Sequence, residues 1–96
     1  MNVERAENPI VAESLTAADI LPGHVYEAKR PACASAFRFN DRQVMWVSAD
    51  RSLVQYDSPT VPDGRGYPKV TMQEFLKWAR RDVTTRMPPN EWRVWK

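Results

Sequence analysis

Arg42-Gln43-Val44-Met45-Trp46-Val47-Ser48 and Ser52-Leu53-Val54-Gln55-Tyr56-Asp57 flank a polar turn, Ala49-Asp50-Arg51. Both stretches are rich in β-branched and aromatic residues, which suit extended backbone. The pattern predicts an antiparallel hairpin. A tight turn at Asp50-Arg51 pairs Val47 with Val54 and Met45 with Tyr56, and strand alternation puts those four on one face. That face is apolar and is expected to line the core. The opposite face carries Val44, Trp46 and Leu53 among Ser48, Gln55 and Asp57. A solvated sheet face normally presents less apolar surface than this, so a cover is expected, from this chain or from a partner.

Downstream, Thr71-Met72-Gln73-Glu74 has the form of a capping box, in which Thr71 closes the first turn and Glu74 reaches back to it. Met72, Phe75, Leu76, Ala79 and Val83 recur at helical spacing, so a helix is predicted over 71–83 with one apolar stripe. Gln73, Lys77, Arg80, Arg81 and Thr84 fall opposite. Pro88-Pro89 forbids continuation.

Upstream, Leu15–Leu21 reads as a single helical turn capped by Thr16 with Asp19 three residues on. His24–Arg30 reads as a strand, Phe37-Arg38-Phe39 as a short strand with both rings on one side, and Tyr67–Val70 as another. Ser58–Pro68 is irregular, with prolines at 59, 62 and 68 and a tight turn at Asp63-Gly64-Arg65-Gly66. The expected organisation is an acidic, weakly ordered arm (1–14), one α+β domain (15–87) and a tryptophan-rich tail (88–96) docked on that domain, since a free terminus rarely keeps such rings exposed. The expected architecture is a small, strongly bent antiparallel sheet or SH3-like barrel of four to five short strands, with one C-terminal amphipathic helix packed against it.

The length of 96 residues fits one domain with its own core. Net charge is +2, but it is unevenly spread. Residues 1–24 set Arg5 against Glu4, Glu7, Glu13 and Asp19 for a net −3, whereas the rest sets 13 basic against 8 acidic residues for +5. Ten of the fourteen basic residues are arginine, which suits bidentate contacts to phosphate or carboxylate and stacking on rings. A surplus of this size is also ordinary on proteins that touch no nucleic acid.

A single cysteine, Cys33, permits no internal disulfide, and the N-terminus lacks a hydrophobic signal region. A reducing cytoplasm is the expected setting. No stretch approaches the roughly 20 apolar residues of a membrane span.

One cysteine and one histidine do not make a closed zinc site, so no metal or other cofactor is expected. Cys33 lies in a loop of small residues with only Arg30 nearby to activate it, and no serine sits in a nucleophile-elbow pattern. Asp41, Asp50, Asp57 and Asp63 fall at turns or strand ends, where aspartate ordinarily bonds to backbone N–H groups. The glycines at 64 and 66 do not lead into a helix, as a phosphate loop requires. No catalytic set is therefore assigned, and a non-enzymatic function is expected.

What remains is binding. Arg38, Arg42, Arg51 and Arg65 lie near strand ends and turns among the rings of Trp46, Tyr56, Tyr67, Trp92 and Trp95. Interleaved arginines and rings suit single-stranded nucleic acid, although a domain of this size needs most of its large apolar residues inside. Trp92-Arg93-Val94-Trp95 serves either as an added strand over the hairpin near Trp46 or as a patch for a protein partner, where tryptophan and arginine are enriched. The leading expectation is a protein-interaction module or a stoichiometric accessory or inhibitory factor, with Arg38, Arg42, Trp46, Arg51, Arg65, Tyr67, Trp92, Arg93 and Trp95 as candidate contacts. The alternative is a nucleic-acid-binding module. Both a monomer and a homodimer fit, because a second copy could also cover an apolar sheet face.

Overall fold

The computed structural model describes residues 14–96; the arm expected over 1–14 lies, but for its last residue, outside them. In chain order the elements are β1 (Val25–Ala28), β2 (Cys33–Ala34), β3 (Arg38–Phe39), β4 (Arg42–Val47), β5 (Leu53–Asp57), β6 (Lys69–Thr71), α1 (Met72–Trp78) and β7 (Ala79–Asp82). Single 3-10 turns occupy Ala17–Asp19, Ser35–Phe37 and Thr84–Arg86. The fold is α+β. Five strands form one antiparallel sheet in the order β6-β5-β4-β1-β7, and β2 with β3 makes a separate ribbon. No pairing among the described residues joins the edge strands β6 and β7, so the sheet stays open and the SH3-like barrel does not close.

The hairpin forms where the sequence predicts it, with one change of register. Val47 pairs Val54 and Trp46 pairs Gln55, but Tyr56 meets Val44 rather than Met45. Met45 is the extra residue of a β-bulge, which shifts the alternation by one position. The cause lies on the other side of β4. Val44 donates its N–H to the His24 carbonyl and accepts from the Gly23 N–H, and β4 must satisfy this segment and β5 together. Val44 consequently turns into the core and is fully buried, whereas Met45 is exposed. Of the three apolar residues expected on the second face, only Trp46 and Leu53 remain there.

The helix is shorter than the apolar stripe suggests. Its first turn carries the expected capping box, in which the Thr71 hydroxyl accepts from the Glu74 N–H and Glu74 accepts from the Thr71 N–H. It stops at Trp78, and Ala79 is already extended with φ −80° and ψ 135°. Residues 79–82 then pair with β1 instead of continuing as helix. Tertiary pairing overrides the local pattern because β1 would otherwise be an unpaired edge. Ala79 and Val83 are buried here, as a helical stripe would also require, so the stripe alone does not distinguish the two.

The core lies on the α1 side of the sheet and gathers Ile20, Tyr26, Val44, Val54, Tyr56, Met72, Phe75 and Ala79. Tyr26 meets Phe75 edge-on at 5.6 Å. Its hydroxyl donates to the Asp19 carbonyl and accepts from the Leu21 N–H, fixing the segment before β1 to the core. That segment begins with the predicted turn, in which the Asp19 carboxylate accepts from the Thr16 N–H. Among the described residues no helix is long and apolar enough to cross a membrane.

Candidate functional site

The outer face of the sheet, opposite α1, divides into a covered half and an open half. Strand parity places Val25, Glu27, Gln43, Trp46, Leu53, Gln55, Asp57, Lys69, Thr71 and Arg81 on it.

The segment after β7 returns across the β1 half. Arg93 is its anchor. The guanidinium donates from Nε and Nη2 to the two oxygens of Asp41, each at 2.7 Å, and Nη2 also lies 3.4 Å from Glu27. Asp41 is fully buried and Glu27 nearly so. The Asp41 hydrogen bonds hold the Arg93 proton more tightly than usual, against the effect of burial. Arg81 completes the cluster at 2.8 Å from Glu27. The backbone around Arg93 extends the β2–β3 ribbon: the Phe39 N–H donates to the Arg93 carbonyl, the Trp95 N–H donates to the Phe37 carbonyl, and Val94 bridges Arg38. The tail therefore pairs beside Arg38, not along the 42–57 hairpin, and the Trp95 ring packs on Phe39 at 4.9 Å.

Three arginines with candidate contact roles are engaged inside the molecule. Arg42 lies between two rings, 4.2 Å from the Tyr56 centroid and 4.1 Å from that of Trp78, and burial lowers its pKa. Arg51 donates to the carbonyls of Ala17 and Ile20, the latter at 2.6 Å, closing the hairpin turn onto the first 3-10 turn. Arg93 is the tail anchor. Arg38 donates to the Ala36 carbonyl and lies 4.0 Å from Glu91. Of the candidate contact arginines, Arg65, on its exposed turn, alone has no side-chain partner among the described residues.

The open half lies across β4, β5 and β6. Trp46, Gln55 and Lys69 form one cross-strand row, and Leu53 and Thr71 form the next. The Lys69 ammonium is 5.3 Å from the Trp46 centroid, a cation–π distance. Trp46 is 41% exposed, Leu53 38% and Tyr67 43%. Gln55 donates to the Tyr67 carbonyl, tying the strip to the loop that carries Arg65. The structure thus sets the Tyr67 backbone beside the row of Trp46, Gln55 and Lys69 and turns Arg42, Arg51 and Arg93 to partners within the molecule.

Trp92 separates two clefts of about 400 and 380 Å³, both of which it lines together with Asp57. The sequence reading treats Asp57 as a turn aspartate, and Asp57 does accept the Ser58 N–H. Its place on the same cleft linings as Trp92 brings together positions far apart in sequence, which no local pattern signals. The same is true of Glu27 and Asp41, which meet Arg93 from 66 and 52 residues away.

His24, the single histidine of the chain, pairs with the Asp82 carboxylate, Nδ1 lying 2.7 Å from Oδ2. Such a pair can orient a base. Here Asp82 also accepts the hydroxyl and N–H of Thr84, while the Thr84 oxygen accepts the Val25 N–H, so the group ties β1 to β7. Cys33 is exposed, with its thiol directed to the Ala34 carbonyl. Among the described residues no cluster of three or more histidine, cysteine or carboxylate side chains is disposed to hold a metal.

No family model matches the chain, and neither a curated protein nor a solved structure gives a match.

Proposed function

We propose that this chain is a small binding protein that acts stoichiometrically, docking a protein partner on the open half of its outer sheet face. The observation that carries this reading is the exposure of Trp46 and Leu53 on two adjoining cross-strand rows, with the Lys69 ammonium against the Trp46 ring and exposed Tyr67 joined to the strip through Gln55. Tryptophan and tyrosine with a few cations make the energetic centres of protein interfaces, where large rigid rings bury much area at little entropic cost. The Lys69 ammonium at the border of the strip suits a partner that presents apolar side chains flanked by carboxylates.

The nucleic-acid alternative has less support. Of its candidate cations Arg38, Arg42, Arg51 and Arg65, Arg42 is stacked between two internal rings and Arg51 donates to internal carbonyls. Phosphate neutralisation needs such cations at the surface.

Affinity capture from the native host with wild-type and Trp46→Glu baits, run beside titrations with mixed-sequence single-stranded DNA and RNA at low salt, tests the proposal. A protein retained by wild type and lost from Trp46→Glu, with no nucleic-acid binding, is the expected result. Nucleic-acid affinity that falls steeply with salt would replace the proposal with its alternative.

A further inference from the structure

The four tryptophans differ in what faces their rings. Trp46 has the Lys69 ammonium, Trp78 has the Arg42 guanidinium and Phe75, and Trp95 has Phe39. Trp92 has neither a ring nor a cation against it among the described residues, and it is half-buried on the lining of both clefts. The adjoining carboxylate is also half used. Asp57 accepts one backbone bond at Oδ1, from Ser58, and its second oxygen takes no partner among the described residues.

The surroundings of this pair are built in advance. Asp57 closes β5 opposite Gln43. Ser58 is buried, with its hydroxyl accepting from Thr60 and its carbonyl from the Val61 N–H. Pro59, Val61 and Pro62 give the smaller cleft an apolar wall, and Asp63 lies on the same lining. Glu91 lines the larger cleft. In the smaller cleft two carboxylates, Asp57 and Asp63, thus face one basic group, Arg38, whose guanidinium is turned to the Ala36 carbonyl and toward Glu91 outside that cleft. On a chain of net charge +2 this is a locally acidic recess with an aromatic wall.

We propose that the Trp92–Asp57 recess is a subsite for an arginine side chain of a bound peptide, distinct from the open face at Trp46. The guanidinium would stack on the Trp92 indole and donate to the unused oxygen of Asp57, with its methylene stem along Pro59 and Val61. A planar, weakly hydrated cation with several N–H donors uses an indole face and a carboxylate together, which a compact ammonium does less well. The fixed carboxylate and the proline-rich wall reduce the ordering needed on binding.

Titration of the full chain with the blocked peptide acetyl-Gly-Arg-Gly-amide, followed by the NMR signals of the four indole N–H groups, tests this. The Trp92 signal should shift saturably while that of Trp46 stays in place. Replacing arginine by citrulline, a neutral molecule of nearly the same shape, should weaken binding by about tenfold or more, the scale of one charge-assisted contact. The lysine peptide should fall between the two. Asp57→Asn should match the citrulline loss; its side-chain carbonyl still accepts the Ser58 N–H, so an unchanged melting temperature separates lost binding from lost folding. Arg38→Gln should tighten binding. Equal affinity for the arginine and citrulline peptides, or no saturable shift at Trp92, would overturn the subsite and leave the Trp46 face unaffected. A shift confined to Trp46 would do the same.

Discussion

Arg93 and Asp41 meet through two parallel hydrogen bonds of 2.7 Å, although 52 residues separate them and the carboxylate has no exposure to solvent. A buried carboxylate facing a fork of N–H donors is stable only while both partners are present, because a lone charge in that position loses its hydration without replacement. Arg93→Met should therefore destabilise the fold by about 3–5 kcal/mol. In a domain of this size that corresponds to a melting temperature lower by more than about 10 °C. The double variant Asp41→Asn with Arg93→Gln should lose less than the two single variants added together, since it leaves no orphaned charge. Thermal melts of wild type, Asp41→Asn, Arg93→Gln and the double variant check this, and additive losses would show that the two residues act separately.

The bulge in β4 gives a second prediction. Val44 is fully buried while Met45 is 39% exposed, the reverse of what simple alternation from the Asp50-Arg51 turn dictates. Val44→Ala should cost about 2 kcal/mol, from lost burial and the small cavity left behind. Met45→Ala should cost less than about 1 kcal/mol, as surface substitutions usually do. Denaturant unfolding of both variants decides the register, and the opposite ranking would restore the regular hairpin.

These two cases also show how far the residues speak for themselves. The hairpin, the Thr71 capping box and the Thr16–Asp19 turn are legible because their chemistry is local, with partners within five residues of one another or on directly adjoining strands. The bulge is not, because it arises from β4 serving β1 and β5 at once. The change from helix to strand after Trp78 is hidden for a similar reason: Ala79 and Val83 satisfy a helical stripe and a buried strand equally well. The place of Trp46 on the sheet face away from the core is legible from strand parity. Nothing near Arg42, Arg51 or Arg93 in sequence reveals that each turns inward to groups between 14 and 66 residues away.

Asp82 sets the direction of an acid effect. Burial alone would raise its pKa, but the Thr84 hydroxyl, the His24 ring and the Thr84 N–H together hold it below the usual carboxylate value. A carboxylate with a depressed folded-state pKa adds stability above its unfolded value, near 3.9, and that contribution disappears as pH falls through the folded value. Wild type should lose stability in this acid window more steeply than Asp82→Asn, so the gap between them narrows as pH is lowered. Parallel acid profiles would mean that the Asp82 bonds contribute equally in both protonation states.

The reading as a binding protein rests on the open strip at Trp46, and a photo-crosslinker placed there interrogates it most directly. A benzophenone amino acid substituted for Trp46 in the native host should give one predominant protein adduct on irradiation. The same probe in place of Lys77, exposed on α1, should not form that adduct. Excess wild-type protein should suppress it, and excess Trp46→Glu should not. No protein adduct from position 46, an adduct to nucleic acid, or the same adduct pattern from positions 46 and 77 would contradict the account.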